Sequence, residues 1–146
     1  MIAELNEPDL YHQQYLNLGF KSLKGIDFCD IYLHKAEEIL VVRYHAETVI
    51  DLEKANAIIS ATQELLSNHA KYAISDSRAF GLVINKDANK IFKAYPGKGE
   101  AIALAILVNN LHIRLLANFF IKVEKPEVST KAFNSLKAAR KWLLNQ

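Results

Sequence analysis

Residues 101–108, Ala-Ile-Ala-Leu-Ala-Ile-Leu-Val, form an uninterrupted apolar run, and this run constrains the fold more than any other feature. A strand that alternates apolar and polar residues has one solvated face, whereas a strand that is apolar throughout is covered on both faces. Such strands belong to parallel sheets, whose crossover connections pack helices against the sheet. The run is far shorter than the ~20 residues that a membrane-spanning helix needs. We therefore expect a buried strand inside an α/β domain.

A β-hairpin is predicted over residues 26–45. Two stretches of alternating residues flank a polar connection at 35–38, as in paired strands. A four-residue connection sets a register in which three pairs lie opposite each other: Leu33 and Leu40, Ile31 and Val42, and Asp30 and Arg43. The last pair is a cross-strand pair of opposite charges, which favours this register.

Helices and strands alternate along the rest of the chain. Asp51 and Ser135 are suitable N-caps for helices that follow them. Periodicity predicts helices up to residue 68 and over 86–95 and 111–123, with short strands at 72–75 and 130–133. This order predicts an α/β fold with a mixed β-sheet, an N-terminal β-hairpin and parallel crossovers. We assign residues 26–146 to this domain and residues 1–25 to a partly helical N-terminal extension.

The charge balance argues against nucleic-acid binding. The chain has 18 basic and 16 acidic residues and a formal net charge of +2, which is not the concentrated basic field of a nucleic-acid-binding protein. The single cysteine, Cys29, cannot form an internal disulfide, and we interpret it as a structural residue in a reducing compartment. The first residues do not have the pattern of a signal peptide, so we expect a cytoplasmic protein without integral membrane association.

The residues that usually carry catalysis form no recognisable set. The five histidines lack metal-site spacing, and no serine lies in a Gly-x-Ser-x-Gly motif. The glycines at 97 and 99 lie between a helix and a strand, which is the wrong junction for a phosphate-binding loop. We therefore expect no enzymatic activity, no metal and no cofactor.

A candidate partner-binding surface combines a strand end with a basic helix. It consists of six residues: Asp76, Ser77, Arg78, Lys86, Lys90 and Lys93. The lysines recur at helical spacing and form either a solvated face or a docking face for an acidic partner or an anionic headgroup. The end of a parallel strand is where α/β proteins place ligands, and a capped turn is the alternative for the residues there.

A second candidate site lies on the helix that follows the apolar run. Arg114 and Asn118 are one helical turn apart and point the same way. They either bind a polar ligand, in a pocket shared with Asp76, or make hydrogen bonds across an interface or to neighbouring backbone groups.

The hairpin has one face with large side chains that something must cover. These are Phe28, Tyr32, Ile39 and Val41. An exposed apolar face of this size marks an interaction surface. Either the N-terminal segment, with Tyr15 and Phe20, covers this face, or a second subunit does so in a homodimer, and the sequence leaves both alternatives open.

Several segments together resemble small bacterial proteins with a STAS-like fold, which are related to anti-sigma factor antagonists and share their architecture with CRAL-TRIO lipid-binding domains. The resemblance covers roughly residues 26–145. It is carried by Ile39-Leu-Val-Val-Arg, the helix start Asp51-Leu-Glu, Ile74-Ser-Asp-Ser, Ala105-Ile-Leu-Val, Arg114-Leu-Leu-Ala-Asn-Phe-Phe, Lys125-Pro, Phe133 and Ala138-Ala-Arg-Lys-Trp-Leu.

The resemblance implies a central sheet with helices packed mainly on one face, and a non-enzymatic module for protein interaction, regulation or ligand sensing. Anti-sigma factor antagonists carry a phosphorylatable serine at a helix start. The corresponding segment here, Asn85-Lys86-Asp87-Ala88, has no hydroxyl group. We therefore expect an interaction module without that serine switch, and the alternative is a small-molecule or lipid-binding domain with its pocket near Asp76, Arg114 and Asn118.

Overall fold

The computed structural model describes residues 7–97 and 99–146. Its strands are β1 (Lys21–Ile26), β2 (Cys29–His34), β3 (Ile39–Tyr44), β4 (Val49–Ile50), β5 (Tyr72–Asp76), β6 (Val83–Ile84), β7 (Ala103–Leu107) and β8 (Ser129–Phe133). Its helices are α1 (Glu7–Asn17), α2 (Leu52–Asn68), α3 (Lys86–Phe92), α4 (Leu111–Phe119) and α5 (Leu136–Leu143), and a π-helical turn (Phe120–Glu124) continues α4. No helix within these ranges is long and apolar enough to cross a membrane.

Six of the strands form one mixed sheet in the order β1-β2-β3-β5-β7-β8. The first three strands are antiparallel, and β3, β5, β7 and β8 are parallel. Strands β4 and β6 form a separate two-stranded sheet. The mixed α/β fold predicted from the sequence is confirmed.

The direction of the crossovers explains where the helices lie. Each crossover from β3 to β5, β7 and β8 moves to the next strand in the same direction, so right-handed connections place α2, α3 and α4 on one face. Apolar residues of these helices pack there against the sheet and its carboxyl edge. Helices α1 and α5 cover the opposite face, where Tyr15 and Leu136 belong to another buried cluster.

Strand β7 has the environment that its apolar sequence predicts. Ala103, Ala105 and Leu107 belong to the cluster under α1 and α5. The alternate residues Leu104 and Ile106 belong to the cluster under α2 and α4. Every residue of the strand is buried, because a helix layer covers each face of the sheet.

The hairpin register is confirmed, and the sheet extends one strand further than predicted. Asp30 pairs with Arg43, and the connection predicted at 35–38 joins β2 to β3. The boundary proposed at residue 25 is wrong, because β1 pairs with β2 and is part of the sheet. Strand β1 is an exposed edge strand with few apolar residues, so its alternation is weak. Residues 1–6 of the proposed extension lie outside the described part of the chain.

The hairpin face is covered by the chain itself. Tyr32, Ile39 and Val41 are buried beneath Tyr15 and Phe20, and the Tyr15 and Tyr32 rings stack at 4.6 Å between centroids. Of the two alternatives, the N-terminal segment and not a second subunit covers this face in the described structure. Tyr32, Ile39 and Val41 therefore form no exposed dimer face. Phe28 does not belong to this face as predicted. It lies in the turn between β1 and β2 and packs on the α2 side of the sheet.

Candidate functional site

A cavity of about 610 Å³ lies between the sheet and helices α2, α3 and α4. Its lining is mostly apolar and comes from strands β3, β5 and β7 and from all three helices. Representative residues are Leu40, Ile58, Leu66, Ala73, Phe92, Leu104, Ile106 and Phe120. Pockets that hold small organic ligands have volumes of roughly 300–1,000 Å³ and a similar apolar character.

The cavity has a local cause in the chain. The floor contributed by β5 and the residue after it has the small side chains of Ala73, Ser75 and Ser77. The crossover helix above β5, α3, has only 7 residues and is therefore about 10 Å long. A helix of this length covers only part of the floor, and residues of α3 and α4 line the space above these small side chains.

Thr62 and Tyr95 place a neutral polar pair in the cavity wall. The Thr62 hydroxyl donates to the carbonyl of Ile58 at 2.7 Å, so the Tyr95 hydroxyl donates to Thr62 Oγ1 at 2.6 Å. Burial raises the pKa of Tyr95 to about 12. Both groups are satisfied and uncharged, which keeps this part of the wall compatible with an apolar ligand.

Hydroxyl groups gather at the carboxyl end of β5. Ser75 donates to the Tyr44 hydroxyl at 3.3 Å, and Ser77 lines the same end of the cavity. Burial raises the pKa of Tyr44, so this phenol stays protonated and keeps a proton to donate. The carboxyl end of a parallel sheet is the usual ligand position in such folds.

The mouth of the cavity is framed by α3 and α4. Lys86 and Asn89 line it from α3, and Leu116, Phe119 and Glu124 line it from α4 and the π-helical turn. Lys86, Leu116 and Phe119 are also exposed to solvent, so the opening faces outward between these two helices.

A smaller cavity of about 260 Å³ lies at the same sheet edge, beside charged residues that are already paired. Arg43 donates to the Asp30 carboxylate, and His45 Nε2 lies 3.0 Å from the other oxygen of that carboxylate. Arg78 makes two side-chain hydrogen bonds to Asp76, at 2.7 and 2.8 Å. These charged groups are already paired with each other, so we assign no ligand site to this cavity.

The predicted partner-binding surface is divided by the structure. Asp76, Ser77 and Arg78 are only 0, 4 and 6% exposed, whereas the side chains of Lys86 and Lys90 on α3, and of Lys93 directly after it, are exposed. Asp76 and Arg78 instead hold the N-terminal helix through Tyr15. The strand-end part of the prediction is therefore wrong, because these side chains turn into the protein.

The pocket predicted near Asp76, Arg114 and Asn118 does not form among the described residues. Asp76 lies on the face of the sheet covered by α1, opposite the larger cavity. Arg114 is exposed, Asn118 is half-buried, and neither lines the described cavities. They share one side of α4, as their spacing predicts, but that side points away from the mouth.

Tyr44, Thr62 and Tyr95 are the cavity residues that sequence reasoning missed. Their signal was weak, because a polar residue on the apolar side of a predicted helix or strand is also explained by a local hydrogen bond. The clearer signal was in α4, whose sequence is apolar on nearly every side. A helix of this kind needs more cover than one sheet face supplies.

Comparisons with known proteins agree with this architecture. A family model described as a domain of unknown function, DUF7793, matches residues 32–146. A solved structure from Shewanella loihica PV-4, an uncharacterised protein of the DUF3478 family with a SpoIIAA-like fold, aligns with a TM-score of 0.55 at 12% identity. The alignment covers 85% of this chain and 91% of that one. The curated proteins give no match. The chain therefore belongs to the DUF7793 family and has a SpoIIAA-like, STAS-like fold.

Proposed function

We propose that this chain is a non-enzymatic module that binds a small amphipathic molecule in the cavity between the sheet and helices α2, α3 and α4. The observation that carries the proposal is the cavity itself, about 610 Å³ with a mostly apolar lining. A cleft of this volume with an apolar lining is typical of sites that bind small organic ligands, which supports a binding function.

The distribution of polar groups suggests the chemistry of the ligand. An apolar chain would lie against Leu66, Leu104 and Phe120, which transfers its surface from water into an apolar wall. A polar end would meet the hydroxyl groups of Tyr44 and Ser75 at the carboxyl end of β5. A single-chain amphiphile such as a fatty acid has both parts.

The lining also supports a binding role over a catalytic one. Its described residues include no histidine or cysteine, and its charged members are Lys86 and Glu124 at the mouth. The interior polar groups are hydroxyls that remain neutral near pH 7. Acid–base catalysis needs a group that gains and loses a proton near the working pH, and the interior offers none.

A thermal-shift titration with a chain-length series of fatty acids tests the proposal. A bound ligand should raise the melting temperature by roughly 5–10 °C at ~100 times its Kd. Ala73→Phe fills the floor of the cavity and should abolish this shift. Ala138→Phe makes the same change on the exposed side of α5 and should preserve it. An unchanged melting temperature for every chain length, or equal shifts in both variants, would overturn the proposal.

A further inference from the structure

Helix α4 and the π-helical turn that continues it expose an apolar stripe to solvent, called here the α4 stripe. Leu111, Leu115, Phe119 and Val123 recur every four residues and are 70, 59, 59 and 56% exposed. Residues with this spacing lie on one side of a helix. The opposite side is also apolar and packs on the sheet through Ala117 of α4 and Phe120 of the π-helical turn. A surface helix normally has a polar outer face, so this stripe calls for a partner.

The stripe runs directly into the mouth of the larger cavity. Phe119 and Val123 belong to the stripe and also line the cavity, together with Leu116. Anything that covers the stripe therefore also touches the opening through which a ligand would enter.

Basic residues lie on both sides of this apolar surface. Arg114 and Asn118 follow one side of α4, and Lys122 of the π-helical turn continues the same four-residue spacing. Lys86 on α3 lines the cavity from the other side of the mouth, and the exposed Lys93 directly follows α3. These flanking groups place positive charge around the stripe on two helices.

The two segments that form this face carry a net positive charge. Segments 86–93 and 111–125 contain Lys86, Lys90, Lys93, Arg114, Lys122 and Lys125, against the acidic residues Asp87 and Glu124. The formal net charge of the chain is only +2, so the remainder is net acidic. A surface that combines exposed apolar residues with a basic rim matches an anionic lipid bilayer.

We propose that the α3–α4 face docks peripherally on anionic membranes. The α4 stripe inserts its side chains at the boundary between headgroups and acyl chains, and the lysines and Arg114 contact lipid phosphates. The cavity mouth then opens onto the bilayer, so that an amphiphile enters without crossing water. This entry route rests on the proposed function, whereas the docking does not.

The positive charge of the α3–α4 face makes a second copy of the chain a poorer partner for this face than an anionic bilayer. A twofold contact brings the same patch of both subunits together, which would place the two basic rims opposite each other. Like charges in a partly desolvated contact oppose association. An anionic bilayer neutralises the same groups, and each Lys or Arg near such a surface contributes about 1 kcal/mol of attraction.

Co-sedimentation of the full chain with vesicles tests the docking. We expect binding to vesicles of phosphatidylcholine mixed with phosphatidylserine, weakened by salt, and little binding to phosphatidylcholine alone. Phe119→Glu should weaken the binding by roughly tenfold or more, because a phenylalanine that inserts into the bilayer is replaced by a charge. Phe80→Glu is the matched control, since Phe80 is 77% exposed and borders the smaller cavity. Its binding should equal that of the wild type.

Three results would overturn the docking proposal. One is no sedimentation with either vesicle, and a second is equal binding by the two glutamate variants. A third is a wild-type dimer, measured by light scattering, that Phe119→Glu converts to a monomer, since a second copy would then occupy the stripe. Ala73→Phe separates the two proposals, because it should abolish the fatty-acid shift and retain vesicle binding.

Discussion

The hydroxyl of Tyr15 donates a 2.6 Å hydrogen bond to the carboxylate of Asp76, across 61 residues of chain. Tyr15 lies on α1 and Asp76 ends β5, so this bond attaches the N-terminal helix to the centre of the sheet. Arg78 completes the network by binding both oxygens of the same carboxylate. Its guanidinium also lies 3.8 Å from the centroid of the Tyr11 ring.

Tyr15→Phe should destabilise the protein by about 1.5–3 kcal/mol, because it removes a hydrogen bond to a buried charged group. Urea denaturation followed by circular dichroism measures the change. The control is Tyr72→Phe, a tyrosine of the same cluster for which the described structure has no side-chain hydrogen bond. Equal losses for the two variants would contradict the role of the Tyr15–Asp76 bond.

Arg78→Ala should be more damaging, with a loss of about 3–5 kcal/mol, because it leaves the buried Asp76 carboxylate without its ion-pair partner. Arg140→Ala is a suitable comparison. Arg140 pairs with Glu37 at 2.6 Å in a partly exposed position, and such pairs contribute up to about 1 kcal/mol. If denaturation gave the two variants the same stability, the buried network would not be the N-terminal anchor that we describe.

Alkaline pH should unfold the protein through its buried tyrosines. Burial raises the pKa of Tyr15, Tyr32 and Tyr44, and raises that of Tyr95 to about 12. A raised pKa means that the folded state favours the protonated phenol. This stabilisation is fully present below the unfolded pKa of about 10 and is lost as the pH rises above it.

A spectrophotometric titration of tyrosinate checks this sign. The buried tyrosines should ionise only together with unfolding, which circular dichroism follows in the same samples. Ionisation of all six tyrosines near pH 10 with the fold intact would contradict the burial of these phenols.

Cys29 should be unreactive in the folded protein. Its thiol is fully buried, and burial, reinforced by the charge of Asp30, raises its pKa, so the nucleophilic thiolate is scarce. Mass spectrometry after treatment with an alkylating reagent should find slow labelling in buffer and fast labelling in denaturant. Labelling at the same rate in both conditions would show that the strand β2 environment is open to solvent.

Local patterns predicted much of the fold. The pairing of Asp30 with Arg43 followed from strand alternation and loop length, and the N-cap at Asp51 followed from side-chain chemistry, with its carboxylate accepting from the Lys54 amide at 2.9 Å. The apolar run in β7 predicted cover on both faces. Each of these features depends on residues that are close together in sequence.

The predictions that were wrong depend on contacts between residues far apart in the sequence. Asp76 and Arg78 turn inward because Tyr15 is present to receive them, and no local pattern indicates that contact. The position of the candidate site was missed for a related reason. A cavity depends on how far α3 and α4 stand from the sheet, which periodicity does not reveal, so Arg114 and Asn118 were placed beside a pocket that they do not line.

Native mass spectrometry of the full chain with a fatty acid measures directly whether the cavity holds a ligand. We expect one bound molecule per wild-type chain, none for Ala73→Phe, and one for Ala138→Phe, because only the first substitution fills the cavity. An unliganded mass for the wild type, or a bound molecule that survives Ala73→Phe, would contradict the claim that the space between the sheet and helices α2, α3 and α4 is a binding site.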